Sequence, residues 1–148
     1  MISKTPLAVL SLLFLWPAPE PIALPLAGRV RLTGRAAGAI VSTIVYAESL
    51  DGATPASAGQ YTMAQREKTF SPHVLAIPRG STVAFPNTDL IFHNVFSLSQ
   101  PSPFDLGLYR NGASKTWTFK SPGTFRVFCN IHPQMAGVIL VTPSSYIA

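Results

Sequence analysis

Cysteine is nearly missing from this chain: its 148 residues include one, Cys129. A lone thiol excludes an intramolecular disulfide and any Cys₄ or Cys₂His₂ zinc site. Histidine is scarce as well, at three residues, too few for a large multi-metal enzyme. Only 11% of residues are charged, with a net +5, which argues against a disordered acidic or basic tail protein. The basic residues are scattered from Arg29 to Arg126 and form no basic aromatic stripe, so nucleic acid is not an expected partner. The sequence shows no glycine-rich phosphate loop, no internal repeat and no 3.6-residue period. What it has in quantity is proline, at 14, and apolar residues, at 47%. Proline breaks helix interiors and central strands alike, so a helical bundle is not expected.

The N-terminus reads as an export segment. Lys4 gives a short positive start, Leu7 to Trp16 is an unbroken, mostly apolar run, and a Pro-rich stretch from Pro17 to Pro25 follows. The run is short of the roughly 20 residues that span a bilayer, so stable membrane insertion is not expected. Residues 1–27 are therefore assigned as a signal peptide and 28–148 as the mature domain. Pro25 sits where a small residue is wanted before cleavage at Ala27, which leaves an uncleaved anchor open. The expected location is the periplasm or another exported compartment. An odd Cys there must pair between chains, stay free, or be occupied.

Short β-like runs punctuated by Gly, Pro and Asn fill the rest. Strands are expected over Arg29 to Thr33, Ala39 to Ala47, Tyr61 to Gln65, Val74 to Ile77, Ser81 to Phe85 and Phe92 to Ser97. Ser49 to Gly59 reads as a loop, and Ser99 to Ser114, with Pro101, Pro103, Gly107 and Gly112, as a long connection. The last third is clearest. Trp117 and Phe119 alternate with Thr116, Thr118 and Lys120, and Phe125, Val127 and Cys129 alternate with Thr124, Arg126 and Phe128. Gly137 to Val141 closes the series. Period-2 alternation marks half-buried strands, and the whole suggests an antiparallel sandwich or barrel.

Chemistry concentrates in Cys129-Asn130-Ile131-His132-Pro133-Gln134-Met135. A thiolate, an imidazole and a thioether stand at i, i+3 and i+6 of one loop that begins where a strand ends. A second imidazole, His93, lies in another strand-like run, and two adjacent strands would bring it beside Cys129. Two His, one Cys and one Met match the trigonal His₂Cys set with a weak thioether that suits copper in electron transfer. Zinc could use the Cys and two His but gives Met135 no role. A cysteine hydrolase would need a third group and an oxyanion element that the sequence does not offer. Met135 also reads as ordinary core packing. His73 is expected on the surface, outside any metal site.

Four segments together resemble the cupredoxins, the plastocyanin-like blue copper proteins. They are Phe70-Ser71-Pro72-His73, the run from Gly80 to Asp89, His93-Asn94-Val95-Phe96-Ser97, and Cys129 to Met135. The nearest in kind are the small exported members of methylamine-utilisation type, with amicyanins beyond them. The resemblance spans about Phe70 to Val141. It implies an all-β Greek-key β-sandwich or barrel with short helical pieces at most. It implies one type 1 copper per chain, with His93, Cys129 and His132 as equatorial ligands and Met135 as the axial one. Asn94 is similar to a family Asn that ties the two ligand-bearing segments together. The implied function is one-electron transfer between redox partner proteins by a monomer that is not an enzyme. Docking would be transient, near His132, within an apolar surround of Pro133, Ala136 and Gly137. A periplasmic copper carrier that does not cycle would use the same four ligands.

Overall fold

Alternation of apolar and polar side chains becomes ten short strands in the computed structural model, which describes residues 28–31, 43–48 and 57–148. They are β1 (Gln60–Thr62), β2 (Ala64–Arg66), β3 (Thr69–Ser71), β4 (Val74–Pro78), β5 (Thr82–Pro86), β6 (His93–Ser97), β7 (Phe104–Tyr109), β8 (Ser114–Thr118), β9 (Gly123–Phe128) and β10 (Ala136–Thr142). No helix occurs among the described residues. One sheet runs in the order β4-β10-β9-β6-β7, a second in the order β1-β5-β8, and β2-β3 form a small hairpin. The chain passes between the two larger sheets from β4 to β5, β5 to β6, β7 to β8 and β8 to β9. These are the crossings of a Greek-key sandwich.

The core lies between the sheets. Phe125 and Val127 on β9 are fully buried while Thr124 and Arg126 face solvent, as period-2 patterning requires. Rings from both sheets meet there. Phe104 of β7 stacks on Trp117 of β8 with centroids 4.7 Å apart, and Phe119 meets Phe125 edge-on at 5.0 Å. Such pairs contribute about 0.5–1.5 kcal/mol each beyond the area they bury.

Several sequence expectations are corrected. The pairing is mixed, because β1 runs parallel to β5 and β4 parallel to β10. The stretch expected as one strand from Tyr61 to Gln65 is two, divided at the fully buried Met63. There the chain changes partner, with β1 on β5 and β2 on β3. The long connection from Ser99 to Ser114 contains β7. Gly107, which reads as a loop marker, has φ +66° and sits where β7 carries an extra residue against β6, between the pairs Asn94↔Leu108 and Phe96↔Asp105. A bulge keeps Phe104 and Tyr109 both buried. No strand forms over Arg29 to Arg31 or over residues 43–47. Among the described residues only the chain end flanks Tyr46, through one isolated bridge to Ile147, and Val45 remains 46% exposed. The expected signal segment 1–27 lies outside the described residues.

Candidate metal centre

Pairing of β6 with β9 builds the site. The strands run antiparallel with Phe96 opposite Phe128, so the start of β6 faces the loop that leaves β9. His93 opens β6, and Cys129 is the first residue after β9. The loop is closed at its neck, because Ala136 of β10 pairs with Phe128 of β9 and the Cys129 N–H donates to the Met135 carbonyl at 3.3 Å. Inside it the Met135 N–H donates to the His132 carbonyl at 2.9 Å. That turn brings His132 back over Cys129.

Three donor atoms converge. His93 Nδ1 and His132 Nδ1 are 3.1 Å apart, and Cys129 Sγ lies 3.8 Å from the first and 3.7 Å from the second. His93 and Cys129 are 0% and 2% exposed, whereas His132 is half-buried. An ion about 2.0 Å from each nitrogen and about 2.3 Å from the sulfur, at near-trigonal angles, needs edges of roughly 3.5 and 3.7 Å. The triangle is already close to that size. A soft thiolate with two imidazoles suits copper.

The surroundings hold these atoms in place. His93 Nε2–H donates to Asp89 Oδ2 at 2.8 Å, which turns Nδ1 toward the triangle. Asn94 spans the two ligand-bearing segments. Its Oδ1 accepts the Asn130 N–H at 2.8 Å, and its Nδ2 donates to Asp105 Oδ1 at 3.1 Å. Partial desolvation pushes the Asp89 carboxyl up, but hydrogen bonds from the Lys68 N–H, His93 and the Glu67 N–H outweigh it. The carboxyl stays below its ordinary value and ionised. His132 is likewise held below its usual value, first by desolvation and then by the charges of His93 and Lys68. Asp89 only partly opposes this, so the balance favours the neutral imidazole, the form that can bind a cation.

Of the residues singled out in the sequence, His93, Cys129 and His132 come together. Met135 is fully buried at the end of the same loop and belongs to the apolar core cluster. His73 is exposed and takes part through its backbone carbonyl, which accepts the Val138 N–H at 2.9 Å. Of the expected apolar surround, Pro133 is exposed and Ala136 half-buried, and Gly137 is the exception. Gly137 is buried, and a Cβ there would stand 3.1 Å from Phe70 Cβ and 3.2 Å from Val127 Cγ2. The large exposed apolar neighbours of the ligands in the chain are Phe92, at 57%, and Ile131, at 46%. Asp89 was not singled out by sequence reasoning. The only signal was an acid four residues before a candidate ligand.

No family model matches the chain. Amicyanin-alpha from Methylorubrum extorquens is 29% identical over 98 residues, covering 64% of this chain and 82% of that protein. Among solved structures, a copper-containing nitrite reductase from Thermus scotoductus SA-01 matches with 33% identity and TM-score 0.52, over 54% of this chain but 21% of the reductase. A purple cupredoxin from Nitrosopumilus maritimus matches with 24% identity and TM-score 0.51, over 55% of this chain and 98% of that one. Taken with the Greek-key sandwich and the spacing of the donor loop, these similarities identify the chain as a cupredoxin-like protein.

Proposed function

We propose that the chain is an exported carrier of single electrons that holds one type 1 copper ion through His93, Cys129, His132 and the axial Met135. The observation that carries this reading is the donor triangle of 3.1, 3.7 and 3.8 Å. The similarity to a protein named amicyanin supports it. Bound copper would supply the one-electron couple. The chain supplies the rest. Donors fixed by strand pairing and by Asn94 need little rearrangement when the charge of the site changes, which favours fast transfer. Burial of Cys129 and His93 keeps water from the thiolate. His132, half-buried, is the route to the surface, and Phe92 and Ile131 beside the ligands suit brief apolar docking with a partner. The net charge of +5 favours an acidic partner face and a salt-dependent association rate.

Copper(II) added to the mature domain should give an intense thiolate-to-copper absorption band in the visible. Cys129→Ser should abolish the band while leaving the far-ultraviolet β signal. A colourless copper(II) adduct, or a band that survives the substitution, would overturn the assignment. Fast reversible self-exchange is expected; copper delivery to an apo-acceptor without cycling would replace the electron carrier with a copper carrier.

A further inference from the structure

The hairpin turn between β2 and β3 is made by Glu67 and Lys68, at φ +53° and +55°. Both central residues of such a turn sit in the left-handed region, where Asn and Gly are the usual occupants. Here neither is present, and a carboxylate from elsewhere in the chain holds the turn. Asp89 Oδ1 accepts the Glu67 N–H at 2.6 Å, and Oδ2 accepts the Lys68 N–H at 2.9 Å. The same Oδ2 accepts His93 Nε2–H at 2.8 Å. Asp89 is itself fixed from behind. Its N–H donates to Asn87 Oδ1 at 3.0 Å, and Asn87, 1% exposed, donates through Nδ2 to the Ile91 and Tyr109 carbonyls at 2.8 and 3.2 Å. The Asp89 side chain is 13% exposed and that of His93 is fully buried, so water competes weakly for the contact.

We propose that Asp89 is a positioning residue for the metal site. Its carboxylate fixes the Nε2–H tautomer and ring orientation of His93 and joins that ligand to the Glu67–Lys68 turn. An imidazole whose Nε2–H is engaged can offer a metal only Nδ1, and Nδ1 is the atom that faces Cys129 and His132. A carboxylate also makes the ring more basic than a neutral acceptor would, which favours the more highly charged oxidation state of a bound ion. The assignment deepens the copper reading and rests on it for the identity of the ion. The tautomer part stands on the metal-free protein alone.

The experiment uses Asp89→Ala and Asp89→Asn, each also made with Glu67→Asn and Lys68→Gly, which let the turn form without a carboxylate. In the metal-free wild type, nitrogen-15 NMR should find His93 protonated at Nε2 and slow to exchange. In Asp89→Ala the tautomers should mix. Copper(II) affinity, measured by chelator competition, should fall about 10–100-fold in Asp89→Ala, and the reduction potential should rise in both Asp89 variants. The turn substitutions should restore stability but neither affinity nor potential. Three results would overturn the assignment: His93 protonated at Nδ1 in the wild type, unchanged affinity and potential in the variants, or recovery of both through the turn substitutions. Should copper give no thiolate band in the wild type, the copper reading falls separately. The NMR result and cobalt(II) affinity then decide the role of Asp89.

Discussion

Asn94 offers the sharpest test of how the two ligand-bearing segments are joined. Its side chain is 1% exposed, accepting from the Asn130 N–H at 2.8 Å and donating to Asp105 Oδ1 at 3.1 Å. Asn94→Ala removes both bonds. At roughly 0.5–1.5 kcal/mol each, the loss should be about 1–3 kcal/mol. Because Asn130 and Asp105 are exposed, water can replace the lost partners, and the lower half of that range is expected. Asn94→Asp keeps the acceptor for Asn130 but sets a carboxylate against Asp105. Two like charges 3.1 Å apart repel by about 1.3 kcal/mol at the dielectric constant of water and about 5 kcal/mol at an effective value near 20. Exposure of Asp105 places the cost toward the smaller figure, roughly 1–3 kcal/mol. The two variants then separate by pH. Repulsion raises the carboxyl pKa in the folded state of Asn94→Asp, so its deficit is present at neutral pH and relieved as the solution is acidified and one carboxyl takes a proton. Asn94→Ala should show no such relief. Urea melts at pH 7 and pH 4.5, with the rate of copper(II) release to a chelator, read both effects. An Asn94→Asp protein as stable as wild type at pH 7, or release unchanged in both variants, would refute the bridge.

Three further outcomes are expected. Met135→Leu should retain copper but raise the reduction potential and alter the visible spectrum; an unchanged spectrum and potential would return Met135 to core packing alone. Tyr109→Phe should cost about 1–3 kcal/mol in a urea melt, because the hydroxyl donates to the buried Phe85 carbonyl at 2.8 Å and takes the Gln65 amide N–H. The same residue should govern part of the alkaline limb of stability. Burial, reinforced by the charge of Cys129, pushes its hydroxyl pKa above the ordinary value of 10.0, against the opposing Gln65 bond. The folded chain therefore keeps a proton that the unfolded chain releases. That contribution is whole below pH 10 and declines above it by up to about 1.4 kcal/mol per pH unit. Melts that decline equally in Tyr109→Phe would contradict this.

Much of the site was legible because the ligands sit where local pattern is strong. Cys129, His132 and Met135 are close in sequence, so their spacing could be read directly, and alternation over Thr124 to Cys129 gave the correct buried face. His93 was legible only through strand character on both sides of it. Non-local pairing explains the rest. Strand β7 was hidden because Gly107 serves as a bulge, and whether a glycine ends a strand or bulges it depends on the neighbour. Residues 43–47, the described part of the run from Ala39 to Ala47, have β-branched side chains but no sheet beside them among the described residues, so propensity alone misled there. Asp89 was invisible as a participant because its three hydrogen bonds reach residues 67, 68 and 93, two of them a hairpin away.

One donor belongs to β6 and the other two to the loop after β9, so the complete trio exists only once those strands have paired. Any cation that prefers three donors to two must then act as a ligand of the native chain over its denatured ensemble. At a free concentration one hundred times its dissociation constant it would add about 2.7 kcal/mol to the unfolding free energy. Thermal endurance of this protein should accordingly track the metal supply of its surroundings.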